Sequence, residues 1–388
     1  MNMKRMTSRR TQVIDSQPSW LVRSDAVACA VTKQGGHMGP VVFFPDARTP
    51  IQPYYVSPWQ GEATRPDEPV LRTLRGDFLC FPFAAGPLWR GEQHRLHGET
   101  AYAAWKQPRW SSRDGVHQLS VEMQPRVRPG HVTKRIWLRD GESVIYTQHE
   151  LRGFRGRMPL GHHATLAPPA RGLLRISTSP LQFGCTLPRS ALQTQDREYY
   201  ALAPKARFRD LKRVPTIWKD EPFTDCSVFP AREGFVDILS VYAKDPKAPA
   251  WTCAVASESG YLWFALKDPG VLPTTTMWME NRGRHAAPWN GRNCCIGLED
   301  VCSYHAEGVK ASVQRNDLNT NGIPTSLLLN PRRPTFINYI QGVARIPRSF
   351  DRVKKARFDN DGVTFMADSG DAVNVSVCHS FIQDGRLT

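Results

Sequence analysis

The stretch TKRIWLRDGESVIYTQHEL, residues 133–151, indicates the class of fold most clearly, and the rest of the chain follows the same pattern. Its two halves are rich in β-branched and aromatic residues, and they flank Asp140-Gly141, a pair typical of tight hairpin turns. The preceding segment 117–124, HQLSVEMQ, alternates polar and apolar residues, as a half-buried strand does. These segments predict antiparallel strands joined by a hairpin turn.

The same strand pattern recurs along the chain, whereas helix signals are weak. No segment longer than about twelve residues keeps the apolar spacing of a helix without a proline or glycine. About 15 to 20 antiparallel strands cannot remain one flat sheet, so we predict an all-β fold, a large antiparallel β-sandwich. The further strand segments are 236–243, 251–258, 261–268, 325–330 and 335–346, with a second hairpin around Asp361-Gly362.

The domain organisation follows from where charge and proline concentrate. The run MKRMTSRR at 3–10 predicts a basic, flexible N-terminal arm over residues 1–20. Residues 21–388 are then expected to form a single sandwich domain. The stretch 185–235 is Pro-rich, charged and irregular, which predicts a long excursion from the sandwich, of the kind that carries specificity.

Composition and charge limit the classes of partner and the cellular compartment that we expect for this protein. The net charge of +15 is spread along the chain, and no RRM, helix-turn-helix or zinc-finger pattern accompanies it, so nucleic acid is not favoured as a partner. The chain shows neither the apolar core of a signal peptide nor an 18-residue apolar run. The nine cysteines include no C-x-x-C pair, which indicates reduced thiols. We therefore expect a cytoplasmic protein that is not in a membrane.

Four stretches, at 71–83, 94–105, 158–169 and 277–304, carry residues able to do chemistry, and taken together they resemble the aldose 1-epimerase (galactose mutarotase-like) superfamily. Within them, LHGETAYAAW (96–105) resembles a Leu-His-Gly-Gly segment followed by a tryptophan, PLGHHATL (159–166) a strand that ends in Gly-x-His, and IGLEDVCSY (296–304) a late strand that carries a glutamate. The order and spacing agree across roughly residues 25–350. The segment GGHMGPVVFF (35–44) also resembles the family's opening strands, where a Gly-Gly pair precedes an apolar strand.

The resemblance implies a β-sandwich of large sheets, in agreement with the strand pattern, and a mechanism. Interconversion of sugar anomers needs a base that removes the C1 hydroxyl proton and an acid that protonates the ring oxygen. Each of these groups typically accelerates the reaction by about 10²–10⁴-fold. By motif, Glu299 would be the base and His163 the acid, and His97 would bind the ring or C1 oxygens. The mechanism needs no metal and no redox cofactor.

The resemblance also implies sugar-binding residues. Arg75, and as an alternative Arg72, would bind hydroxyl groups, and tryptophans would supply a stacking face for the sugar. The arginines near these motifs would tolerate an anionic substrate, such as an acidic or phosphorylated sugar. The tryptophans are Trp105, Trp278 and Trp289, and the further arginines are Arg282, Arg284 and Arg292.

The chain departs from the family pattern at several positions. Glu99 follows Gly98 where the family usually has a second glycine, and Asp300 follows Glu299 where proline is usual. His162 and His163 are adjacent at a strand end and must point to opposite faces, so only one of them can face the site.

Three other functions are kept open. The spacing of His94, His97 and Glu99 converges poorly on a metal ion, so a zinc site is not favoured. A carbohydrate-binding protein without turnover would use the same sandwich and aromatics. A glycoside hydrolase or lyase would need two carboxylates, for which the candidates are Glu62, Asp77 and Glu99.

Overall fold

The computed structural model describes residues 10–63, 65–188, 192–193 and 197–387. Strands account for 47% and helices for 7%, which confirms the all-β prediction. No helix among the described residues is long and apolar enough to cross a membrane.

The strands are numbered in chain order. The first half contains β1 (Gln12–Ile14), β2 (Gln17–Arg23), β3 (Val27–Thr32), β4 (Met38–Phe43), β5 (Leu79–Cys80), β6 (Lys106–Arg113), β7 (Val116–Met123), β8 (His131–Arg139), β9 (Val144–Arg152), β10 (Gly156–Met158), β11 (Leu160–His162), β12 (Ala164–Leu166), β13 (Leu174–Thr178), β14 (Leu181–Thr186) and β15 (Leu192–Gln193). The second half contains β16 (Glu198–Tyr199), β17 (Arg207–Phe208), β18 (Val214–Pro215), β19 (Phe223–Thr224), β20 (Val228–Phe229), β21 (Phe235–Ala243), β22 (Ala250–Ala256), β23 (Tyr261–Lys267), β24 (Thr274–Asn281), β25 (Cys294–Cys302), β26 (Leu327–Leu329), β27 (Thr335–Arg345), β28 (Val353–Asp359), β29 (Gly362–Ala367) and β30 (Ala372–Val375). The two short α-helices are α1 (Gly308–Val313) and α2 (Phe381–Asp384).

Two large antiparallel sheets form the sandwich. The nine-stranded sheet has the order β20-β13-β22-β23-β27-β9-β8-β7-β6. The eight-stranded sheet has the order β17-β14-β21-β24-β25-β11-β5, and β12 also pairs with β25. The largest hydrophobic core lies between them and includes Ile136 and Leu138 from one sheet and Met277 and Leu298 from the other.

The hairpin at residues 133–151 forms as predicted, with β8 and β9 paired so that Ile136 lies opposite Thr147. The second predicted hairpin forms too, as β28 and β29. With β30 this hairpin makes a separate three-stranded sheet, which packs with α2 on the outer face of the nine-stranded sheet. This third layer explains why β22 and β23 are buried at every position and do not alternate in polarity.

The N-terminal arm is shorter than predicted. Residues 1–9 lie outside the described part of the chain, but Gln12–Ile14 and Gln17–Arg23 are strands of the first four-stranded sheet. Trp20 is buried in the main core, so its burial holds this part of the chain in place. The prediction of a flexible arm is therefore wrong from Gln12 onwards.

The excursion at 185–235 follows β14 and returns at β21. Its described part contains six two-residue strands, β15 to β20, which is more strand than its composition indicates. Strands of two residues are too short to show an alternation of polar and apolar side chains, so the sequence pattern does not predict them.

A buried polar contact joins the two large sheets. Asp300 on β25 accepts hydrogen bonds from the ammonium of Lys267 on β23 and, at 2.7 Å, from the hydroxyl of Tyr339 on β27. Thr275 Oγ1 donates to the same carboxylate at 2.6 Å. Because Lys267 and Asp300 are nearly inaccessible to solvent, each charge depends on the other.

Replacing Asp300 with alanine would leave the Lys267 ammonium buried without its counter-charge. We expect the free energy of unfolding to fall by roughly 3–5 kcal/mol, measured by urea denaturation. The matched control is Asp46→Ala, which breaks an exposed pair with Arg23 and should cost less than about 1 kcal/mol. Equal stability of the Asp300 variant and the wild type would contradict this assignment.

Candidate active site

A cavity of about 340 Å³ lies on the outer face of the eight-stranded sheet. Side chains alternate along β25, so Ile296 and Leu298 enter the core while Glu299 faces the cavity. His97 and His163 also line it, so the structure brings all three predicted catalytic residues together.

His163 and Glu299 are in direct contact in this cavity. The Nε2 atom of His163 lies 3.2 Å from Oε1 of Glu299, and both side chains are at most 5% exposed. Gly297 makes room for the carboxylate, since a Cβ atom at that position would lie 2.4 Å from Glu299 Oε1. The position in the sequence IGLED is therefore occupied by glycine for a steric reason, because a side chain there would clash with the Glu299 carboxylate.

The His163 ring is held on two further sides. Its Nδ1 lies 3.0 Å from Oγ1 of Thr165. The ring stacks on Phe78 with centroids 4.6 Å apart and meets the edge of Trp278 at 5.8 Å. These contacts leave Nε2 as the nitrogen available for proton transfer.

His97 also lines the cavity, next to His163. Its ring packs edge-on against His163, with centroids 4.8 Å apart. The amide of Ala84 donates to Nδ1 at 3.3 Å, and the thiol of Cys80 lies 3.2 Å from the same atom. A neutral imidazole whose Nδ1 accepts must carry its proton on Nε2. His97 is therefore a hydrogen-bond donor at Nε2.

Burial sets the protonation of all three groups. Desolvation raises the pKa of Glu299 to about 8, against a partial opposing effect of the Arg284 charge. Desolvation lowers the pKa of His163 to about 4 and that of His97 well below its ordinary value. At neutral pH the pair of His163 and Glu299 thus holds one proton, which resides on the carboxyl group.

Two of the predicted tryptophans, Trp278 and Trp289, line the cavity with their rings perpendicular to each other. The guanidinium of Arg284 lies 5.3 Å and 5.0 Å from their centroids. The indole N–H of Trp278 is buried and has no acceptor among the described residues. Aromatic faces and a free donor of this kind suit a sugar ring and its hydroxyls.

The other predicted substrate-binding residues do not reach the cavity, and their roles are corrected. Arg75 is fully buried and donates to the carbonyls of Ile14 and Asp15. Arg72 donates to Pro66 O at 2.8 Å and lines a different, more open groove. Trp105 is buried in the core and donates to Thr100 O. All three stabilise the fold at the places where the resemblance implied sugar contacts.

The adjacent histidines separate as strand alternation requires. His162 points between the two sheets, where Nδ1 lies 2.8 Å from Asp77 Oδ2 and the ring stacks on Tyr339. Only His163 lines the cavity. Asp77 is therefore part of the interior and is not available as a catalytic carboxylate.

The remaining candidates for a metal or a hydrolase are engaged elsewhere. Glu99 accepts from the amides of Arg126 and Val127, and Glu62 pairs with Arg292 at 2.6 Å. His94 lies 3.0 Å from Glu92. Within the described ranges no group of three or more His, Cys, Asp or Glu side chains is placed to hold a metal ion.

Sequence reasoning missed the charge cluster at one end of the cavity. Glu198 Oε1 lies 2.9 Å from Nε of Arg284, and Glu280 Oε2 lies 3.6 Å from it. The hydroxyl of Tyr200 donates to Glu198. Glu198 and Tyr200 come from the excursion at 185–235, and the approach of that segment to β24 carries no local sequence signal.

Comparison with known proteins finds solved structures that share the fold of this chain. No family model matches the chain, and no curated protein matches its sequence. A galactose mutarotase-like protein from Clostridium acetobutylicum superposes with a TM-score of 0.55 at 10% identity, covering 87% of this chain and 98% of that one. A candidate aldose 1-epimerase from Escherichia coli K12 gives 0.54 at 14% identity, covering 85% and 100%. A galactose mutarotase related enzyme from Lactobacillus acidophilus gives 0.53 at 9% identity, covering 87% and 100%.

The chain therefore has the galactose mutarotase-like fold, and the resemblance found in the motifs is confirmed at the level of the fold. At these identities the likeness describes architecture, and function must be argued from the cavity.

Replacing Glu299 with glutamine should stabilise the protein, and more so at higher pH. The folded-state pKa is raised to about 8 from an ordinary 4.5, so the folded chain keeps a proton that the unfolded chain releases between these values. Wild-type stability is thus lost as pH rises through this window, by at most about 1.4 kcal/mol per pH unit, whereas glutamine does not titrate.

Urea denaturation at pH 5 and pH 8 measures this effect. The stability difference between Glu299→Gln and wild type should be larger at pH 8. Glu258→Gln, at an exposed position, serves as the matched control. A difference that is equal at both pH values would contradict the protonated, buried state of Glu299.

Proposed function

We propose that this protein is an aldose 1-epimerase-like isomerase that interconverts the anomers of a sugar by acid–base ring opening. The observation that carries the proposal is the meeting of Glu299 with His163 and His97 in one cavity, from three distant parts of the chain. The mutarotase-like fold supports the same assignment.

The chemistry needs one group that accepts a proton and one that donates. One removes the proton of the C1 hydroxyl while the other protonates the ring oxygen, so the bond between C1 and the ring oxygen breaks and an aldehyde forms. Rotation about the C1–C2 bond and the reverse transfers give the other anomer. A pair that holds a single proton has the required stoichiometry.

The roles implied by the resemblance are compatible with this proton count. The proton rests on Glu299, and its transfer to His163 gives the state in which Glu299 accepts and His163 donates. Because the two groups touch at 3.2 Å, sugar oxygens must enter beside them or separate them. His97, whose Nε2 carries a proton, would donate a hydrogen bond to the C1 or ring oxygen.

A carbohydrate-binding protein without turnover is the second candidate. The contact between His163 and Glu299 favours it, because each of the two groups is already engaged by the other. Sugar binding with no acceleration of anomer exchange would support this candidate against the first.

Removal of either member of the pair should abolish catalysis while leaving sugar binding measurable. We expect Glu299→Gln and His163→Asn to lower the rate of anomer exchange by roughly 10²–10⁴, since each replaces an acid–base group. Exchange NMR on a panel of aldoses measures the rate. His94→Asn, outside the cavity, is the matched control and should retain activity. Unchanged exchange in Glu299→Gln would contradict the proposal.

The pH dependence of exchange should be bell-shaped. Below about pH 4 His163 gains a proton, so the pair lacks an acceptor, and above about pH 8 Glu299 loses its proton, so the pair lacks a donor. The value of kcat/KM should fall on both sides of this range. A profile that is flat from pH 5 to pH 10 would contradict the role of the pair.

A further inference from the structure

We infer that the cavity selects an uncharged pyranose in which at least one hydroxyl is replaced by an apolar group, such as the methyl of a deoxy sugar or of a methyl ether. The inference rests on the proposed function in taking a sugar as the occupant. It goes further by excluding sugar phosphates and sugar acids and by naming the group that the apolar wall recognises.

The first argument is that the cavity offers no free positive charge. Of the described residues that line it, only Arg284 has a cationic side chain at neutral pH. Its guanidinium is enclosed by Trp278, Trp289, Glu198 and Glu280. Although burial works against ionisation, the two carboxylates raise the pKa of Arg284, so the cation is stabilised by groups of the protein itself. A phosphate would have to displace a carboxylate that is already in place.

The arginines that suggested an anionic sugar lie elsewhere. Arg282 pairs with Glu233 and Arg292 with Glu62, both on exposed surface. Arg75 is buried against backbone carbonyls. Only Arg284 contributes to the cavity, so the observation behind that expectation does not apply to the site.

The second argument is the apolar wall. Val70, Leu71, Leu74, Phe83 and Leu96 line one part of the cavity and pack on or within a single hydrophobic cluster. A hydroxyl buried against such side chains loses its hydrogen bonds to water and gains none, which disfavours its binding there. A methyl group at the same place gains from burial. An aldose with a hydroxyl at every carbon therefore fits this wall poorly.

The third argument is that the polar groups that could serve a sugar are few and clustered. Glu299 and His163 are in contact, His97 packs against His163, and Thr276 and the free indole N–H of Trp278 lie on β24, the strand that pairs with β25. A ligand that presents its polar groups to this cluster and an apolar group to the wall matches the cavity. This arrangement resembles that of ligand sites in which a few polar groups set orientation within an apolar pocket.

Binding measurements on matched sugars test the inference. The panel consists of glucose and galactose, each with its 6-deoxy, 6-O-methyl, 6-phosphate and uronic acid forms, and dissociation constants are measured by titration calorimetry. We expect the deoxy and methyl ether forms to bind roughly 10-fold tighter than the parent sugars, and the anionic forms more weakly than the parents.

Two pairs of variants connect the result to the named residues. Leu71→Asn, at a half-buried position of the wall, should reduce the preference for the apolar forms toward parity, whereas Leu88→Asn, at a position 63% exposed, should not. Glu198→Gln should raise the affinity for the 6-phosphates by about 10-fold because it releases Arg284. Glu233→Gln, beside the exposed Arg282, is its control.

The outcomes separate this inference from the proposed function. Equal or tighter binding of the anionic forms by the wild type, or no binding by any sugar, overturns the inference. Tighter binding of the apolar forms without anomer exchange supports it and overturns catalysis. If the parent sugars and the apolar forms bind with equal affinity, and the parent sugars exchange at rates no lower than those of the apolar forms, the result supports catalysis and overturns the selectivity.

Discussion

The alternation of side chains on β25 is the constraint on which the site depends. Glu299 and Asp300 are neighbours, so one faces the cavity and the other faces the interior between the sheets. Asp300 is fixed there by Lys267 and Tyr339 from the opposite sheet. A shift of β25 by one residue would expose Asp300 to the cavity and place Glu299 in the core. The departure from the usual proline after the glutamate thus has a structural purpose, because the aspartate anchors the register.

Burial connects the stability of the site with its chemistry. Removing Glu299 and His163 from water disfavours their charged forms, and the same desolvation leaves one proton on the pair at neutral pH. The unfolded chain does not hold that proton in the same way, so the site costs stability above the ordinary pKa of a glutamate. The cores on both faces of the nine-stranded sheet offset this cost. A site of this kind needs an enclosing scaffold, which a large three-layer β fold supplies.

Sequence patterns predict the sheets well because strands and turns depend on local features, and the motifs single out three residues that the structure places in one cavity. Asp140-Gly141 marks a hairpin by turn chemistry alone, and His97, His163 and Glu299 lie within ordered motifs. Arg75 and Trp105 were misassigned because a residue type does not report its burial, and both are interior. The Arg284 cluster was missed because Glu198 reaches it through tertiary packing of an irregular segment. The third layer of β28 to β30 was missed because a strand that packs on an outer face has the same pattern as one within the sandwich.

The strongly basic composition describes the surface of this protein and not its cavity. Arginines that lie near the motifs in the sequence are paired with carboxylates on the surface, as Arg282 and Arg292 are, or bound to backbone carbonyls, as Arg75 is. Exposed pairs of this kind contribute little energy and respond to salt. Arg284 differs because it is enclosed by aromatic rings and two carboxylates, so its charge is balanced before any ligand arrives. The net charge of this chain therefore does not indicate the charge of its ligand. The groups that surround each cation do, because they determine whether its charge is already balanced.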